Sequence, residues 1–256
     1  MKKFELTAEF VTNVFGKKLF RIKALVAFGN VKKGELGGFI EKEDNLSHSG
    51  NAWVSGDAQV YGNAQVYDNA RVYGDAWVFG DAQVSGNAQV YDNARVFGNA
   101  RVYGDAWVYG NARVYGDAWV FGDARVYDNA WVYGNARVSG DARVFGNARV
   151  YGDAWVFGDA QVSGDARVSG DARVYGNADY AVVTGFGRYF RATTFFRCKD
   201  KIIRVQCGCF YGDLAQFREI VKKTHGDSKY AKEYLAIADL MELHFSDEEE
   251  NQEAAK

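Results

Sequence analysis

The chain has 256 residues with 31 basic and 33 acidic side chains, a net charge of -2, 29 glycines and no proline. That balance excludes a chain-wide field for nucleic acid or anionic membrane, so any such binding has to be local. Three cysteines, all between Cys198 and Cys209, are too few and too clustered for a disulfide framework.

The N-terminal residues are basic, but no cleavage signature follows them and no apolar run in the chain reaches membrane-span length. The expectation is a cytoplasmic protein with no membrane partner. Residues 1–49 hold two β-like runs, Leu19-Phe20-Arg21-Ile22 and Phe39-Ile40, around a polar Gly-rich stretch from Val31 to Gly38. They are read as an N-terminal β cap.

Residues 50–178 repeat every six positions in the frame Ala-x-Val-x-Gly-Asn/Asp, with Val at every sixth position from Val54 to Val174 and Ala from Ala52 to Ala178. A period of six is neither the 3.6 of a helix nor plain strand alternation; it fits a short strand followed by a corner. In Ala70-Arg71-Val72-Tyr73, alternation sends Ala and Val inward and Arg and Tyr outward. Gly tolerates positive φ, and Asp and Asn follow it in that tolerance, so Gly-Asn/Asp, or Asp-Asn at 68, 92 and 128, turns the chain.

Residues 179–246 are read as a hairpin plus two helices. Thr193–Cys198 and Ile202–Cys207 pair across a turn near Lys199-Asp200. Asp213 with Gln216 starts a first helix that ends near His225-Gly226, and Asp227 is placed as the cap of a second carrying Tyr230, Tyr234, Ile237, Met241 and Phe245. Residues 247–256 are read as a disordered acidic tail.

The repeat resembles that of the hexapeptide-repeat left-handed parallel β-helix proteins. The resemblance implies a mainly β fold, a left-handed parallel β-helix in which three hexapeptides make one triangular coil. Twenty-one repeats then give about seven coils, a rod roughly 35 Å long. The segment from Gly29 to Ile40 resembles the N-terminal module of YdcK-like bacterial proteins, and the tail from Cys207 to Leu235 resembles a small module of prophage-encoded proteins. These likenesses imply a bacterial or phage origin and supply no catalytic residues.

The outward positions carry six Trp, ten Arg and five Gln before the Val, and sixteen Tyr or Phe with five Ser after it. Stacked every eighteen residues, one face carries an unbroken column of Tyr61, Phe79, Phe97, Tyr115, Tyr133 and Tyr151, flanked by Trp77, Arg95, Arg113, Trp131 and Arg149. Another face stacks Tyr73, Tyr91, Tyr109 and Tyr127, and the third is interrupted at Ser85 and Ser139. The eleven residues of the unbroken face are the candidate partner-binding surface, because extended exposed apolar patches mark interfaces. The same rings also serve as self-stabilising ladders.

Other chemistries find less support in the residues. Arg among aromatics suits single-stranded nucleic acid, but fourteen Asp against ten Arg in the repeats argue against it. Asp105, Asp123, Asp141 and Asp159 stack at one corner, where a hard cation could be held; no metal or cofactor is expected. Acyltransferases of the resembled fold use a catalytic His and a loop breaking the coils, whereas here no repeat contains His or an insertion and His48 lies just before them. Cys207 and Cys209 with Cys198 and His225 suggest zinc, but the hairpin puts Cys198 and Cys207 at opposite ends.

The functional expectation is therefore a non-catalytic interaction protein. It binds a host or phage macromolecule or a second copy of itself, a trimer included, as a phage or prophage accessory factor. The alternatives are an acyl-CoA-dependent acyltransferase and a self-assembling scaffold.

Overall fold

The computed structural model describes residues 2–246, so the acidic tail lies outside the described residues. Twenty-one two-residue strands, β4 (Trp53–Val54) to β24 (Arg173–Val174), follow one another at six-residue intervals. They pair in parallel every eighteen residues, as in Arg95 beside Arg113 and Val96 beside Val114. Three sheets result, each contributing seven rungs, so the repeats form seven full coils.

Each rung follows from its six residues. The Ala and Val of every coil from Ala52 to Val174 are fully buried, and the N–H before the Val donates to the Ala carbonyl of the next coil, as in Arg95 to Ala112 at 2.9 Å. The corner glycines hold φ near +70°, such as Gly116 at 72°, and Asp68, Asp92 and Asp128 take the same left-handed conformation at 58°, 56° and 57°. Their carboxylates compensate: Asp128 Oδ2 accepts from the Gly146 N–H, 3.3 Å away on the next coil.

The coil begins earlier than the unbroken repeat. Strands β1 (Phe4–Thr12) and β2 (Lys18–Ala24) form a hairpin, and β3 (Leu36–Ile40) joins it to the coils by pairing in parallel with Gln59-Val60. Leu46 bridges to Val66, so Ile40 and Leu46, six residues apart, occupy two sides of an eighth, partial coil. Two extra residues before Val54 displace this coil from the frame. Buried Asn45 completes the join, its Nδ2 donating to the carbonyls of Ala64 at 2.8 Å and Gly62 at 3.1 Å.

Both ends of the apolar interior are plugged. Phe4, Ile22, Val31 and Leu46 close one end, with Lys3 folded beneath them, its Nζ 2.9 Å from the Ala52 carbonyl and 4.7 Å from the centre of the Phe28 ring. At the other end the final repeat leaves the coil. Gly176 is extended at φ -155°, residues Asn177–Asp179 form a 3-10 turn, and Ala178 is exposed rather than buried. The chain then enters an antiparallel sheet, β25 (Tyr180–Val183), β26 (Thr193–Arg197), β27 (Ile203–Cys207) and β28 (Phe210–Asp213).

Strand alternation lets β26 face two ways. Phe196 joins the core of the solenoid, whereas Phe195 joins a second core with Phe217, Val221, Tyr234, Ile237 and Met241. Those last residues come from helices α1 (Leu214–His225) and α2 (Lys229–His244). The expected capping box at Asp213 and Gln216 is present. The second cap is Ser228, not Asp227: its Oγ accepts from the Ala231 N–H at 3.4 Å.

No helix among the described residues is long and apolar enough to cross a membrane.

Candidate functional site

The ten-stranded sheet carries the face singled out by the sequence. Because identical positions sit one strand spacing apart, its rings must stack or clash, and they stack. Tyr61, Phe79, Phe97, Tyr115, Tyr133 and Tyr151 run as one ladder, with centroids 4.8 to 5.0 Å apart and planes within 4° of parallel. Beside it, Arg95 lies 4.7 Å from the Trp77 ring, and Arg113 and Arg149 sandwich Trp131 at 4.9 Å on either side. All eleven residues thus come together on one face.

They are not equally open. The β1–β2 hairpin leans over the start of the ladder, with Phe15 6.3 Å from the Tyr61 ring and 6.4 Å from that of Phe79. Tyr61 is buried with Leu19 and Phe39. At the far end the Tyr151 hydroxyl meets Gln206 of β27 at 3.4 Å. The open stretch is Phe97, Tyr115 and Tyr133 with Arg95, Arg113, Trp131 and Arg149, a floor bounded by an exposed Phe15 at one end and exposed Tyr189 and Phe190 at the other.

The other faces carry ladders of their own. Tyr73 through Tyr127 stack as expected, and Phe145 extends the column by a fifth ring. The third face, broken in its rings at Ser85 and Ser139, is strongest one position earlier. There Arg101, Trp119, Arg137, Trp155 and Arg173 alternate, every guanidinium 4.6 to 5.1 Å from a Trp ring. Alternation of Arg and Trp at eighteen-residue spacing was the signal for this column.

The fourteen Asp of the repeats are shared almost equally among the three corners of the rod. The corner entering the ten-stranded sheet stacks Asn93, Asn111, Asn129 and Asn147 between Asp75 and Asp165, with Asp92 and Asp128 one position earlier, and Asn111 Nδ2 donates to Asn129 at 3.2 Å. The corner between the other two sheets stacks Asp105, Asp123, Asp141 and Asp159. Among the described residues, Arg95, Arg113, Arg149 and Arg167 make no ion pair within the chain. Burial raises the pKa of Tyr115 and Tyr133 and pushes that of Tyr61 up to about 12, so these three phenols stay protonated. The surface therefore offers hydrogen-bond donors beside ring edges.

The geometry also removes one use of the rings. Parallel rings already in contact leave no gap for a nucleobase, and Trp131 is covered on both faces, so stacking of bases between them is closed off.

His48 lies in the N-terminal cap, where it lines a cleft with Gln65 and Tyr67 of the neighbouring coil. His48 stacks on Phe4 at 4.3 Å, accepts the Lys3 N–H on Nδ1 at 3.2 Å and sets Nε2 3.5 Å from Glu43. It helps hold the N-terminal plug. Cys198 lies by the hairpin tip, and Cys207 at the opposite end takes a hydrogen bond from the Thr193 hydroxyl at 3.2 Å. All three cysteines are free, and no cluster of three or more His, Cys, Asp or Glu suited to a metal occurs among the described residues.

Fold and surface together define a parallel β-solenoid closed at both ends by non-repeat modules. Its coils match the model of the YdcK beta solenoid repeat at residues 64–80, 88–104, 94–110, 106–122, 118–134, 124–140, 130–144, 142–158 and 160–176. No curated protein matches the chain.

Proposed function

We propose that the protein is a non-catalytic interaction protein that holds an acidic partner protein along the ten-stranded sheet, over Phe97, Tyr115 and Tyr133. The observation that carries this reading is a row of guanidiniums, Arg95, Arg113 and Arg149, stacked on Trp rings with no ion pair among the described residues, beside the longest aromatic ladder. Rings and Arg are the residue types that anchor interfaces. The guanidiniums of Arg95, Arg113 and Arg149 make no ion pair among the described residues with the corner carboxylates that flank the sheet, Asp92 and Asp128 on one side and Asp117 and Asp153 on the other, and so are left to meet a partner's carboxylates. The resemblance of the terminal segments to bacterial and prophage proteins extends the reading to a phage or prophage accessory factor acting on a host component in the cytoplasm.

The experiment compares capture of lysate proteins by the parent chain and by an Arg113→Glu/Arg149→Glu variant of unchanged melting temperature. Loss of specific, salt-sensitive partners from the variant supports the reading. Identical capture by both overturns it, as does acyl-CoA turnover that vanishes in His48→Ala. Sedimentation of the parent at several concentrations identifies a second copy of the chain as the occupant if it self-associates and the variant does not, which also overturns a foreign partner.

A further inference from the structure

The last rung of the third sheet and the tip of the β26–β27 hairpin enclose a cleft of about 650 Å³, lined by Trp155, Arg173, Tyr175, Asp179, Arg197, Cys198, Lys199 and Lys201. Four of these side chains are cationic and one is a carboxylate, in a chain whose net charge is -2. That carboxylate is already engaged. Asp179 Oδ2 accepts the N–H groups of Tyr175 at 2.8 Å and Gly176 at 3.1 Å, and Oδ1 lies 3.4 Å from Arg197 Nε.

Of the four cations, Arg197 faces Asp179, Arg173 is held in place, and Lys199 and Lys201 are exposed. Arg173 Nη1 is held by the carbonyls of Ala172, Asp171 and Asp153 at 2.8, 3.1 and 3.0 Å, and its guanidinium lies 4.6 Å from the Trp155 ring. Its Nε and Nη2 make no bond within the described chain. Lys199 and Lys201 sit exposed at the hairpin tip with no ion pair among the described residues. Three cations with no ion pair among the described residues converge on one cleft and form a site for several phosphate oxygens.

The cleft also has an aromatic wall. The ladders elsewhere are closed because each ring is covered by the next, but Tyr175 belongs to the final rung. It is 57% exposed, with Phe157 edge-on against it at 3.9 Å and no further coil beyond. An aromatic ring beside a cluster of cations recognises a planar base that carries phosphates.

We infer that this cleft binds a nucleoside polyphosphate, the phosphates on Arg173, Lys199 and Lys201 and the base on Tyr175. The site is separate from the partner surface, on a different sheet, and stands whether or not that surface does.

Isothermal titration calorimetry of the full chain with ATP, adenosine and inorganic tripolyphosphate tests it. ATP is expected to bind at least about tenfold more tightly than either fragment. Lys199→Ala/Lys201→Ala, at two exposed positions and with the melting temperature measured alongside, is expected to weaken ATP by at least about tenfold, and Tyr175→Ala to bring ATP down to the affinity of tripolyphosphate. No binding of ATP, an unchanged affinity in the lysine variant, or tripolyphosphate binding as tightly as ATP would overturn the assignment.

Discussion

The ring of Tyr115 lies parallel to that of Tyr133, 4.9 Å between centroids and 2° between planes. A ring inside such a ladder touches a neighbour on each face, so its value to stability is that of two contacts at once. Tyr115→Ala is expected to destabilise the protein by about 1–3 kcal/mol, each stacked pair contributing about 0.5–1.5 kcal/mol. Tyr115→Phe keeps both faces and is expected to be close to neutral. Urea unfolding of the two variants checks the difference; equal losses would mean that the hydroxyl rather than the stack matters.

Corner geometry gives a second expectation. Gly116 holds φ +72°, and a Cβ there would lie 3.0 Å from the Gly134 nitrogen of the next coil. Gly116→Ala therefore combines a disfavoured backbone with a close contact, and the expected loss exceeds about 1 kcal/mol. Thermal melting measures it, with Arg143→Lys, exposed, outward and stacked on no ring among the described residues, as the control for the array.

The alkaline limb of stability separates two groups by sign. Tyr61 and Tyr91 are raised to about 12 chiefly by burial, so the folded state holds their protons longer than the unfolded chain, which releases them near 10. Their contribution is present below pH 10 and is lost as pH rises toward 12. Lys3 runs the other way: burial lowers it to about 8 from 10.5, so the unfolded chain binds its proton more tightly and stability rises between pH 8 and 10.5. Denaturant unfolding across this range is expected to show a rise and then a fall. Lys3→Met removes the rise and leaves the fall.

The cap of α2 distinguishes two adjacent residues. Ser228→Ala is expected to cost about 1 kcal/mol of stability, whereas Asp227→Ala, one residue outside the cap, stays within about 0.5 kcal/mol. Chemical denaturation resolves the pair.

What the sequence disclosed depended on how regular the local rule was. The coil was legible because every Val from Val54 to Val174 obeys one frame and all are buried. The partial coil was hidden because two extra residues separate Leu46 from Val54 in phase, and the eye follows an uninterrupted period. Strands β25 and β28 were missed because each is four residues long and defined by antiparallel partners rather than by its own pattern. The rings of the candidate surface could be stacked on paper, but not the hairpin that covers Tyr61, since that contact joins Phe15 to a residue far along the chain. The Ser228 cap was lost to Asp227 because both residue types cap well and only backbone placement chooses between them.

The in-register repeat has a dimensional consequence. Every full coil uses eighteen residues and pairs with the next without slip, so the separation of the two end modules is counted rather than shaped: it advances by about 4.8 Å for each coil added. A duplication or deletion of eighteen codons would slide the helical module along the axis by that one increment and keep it on the same sheet. The chain is in this sense a ruler graduated in coils, and a ligand that touched both ends would read the number of graduations directly.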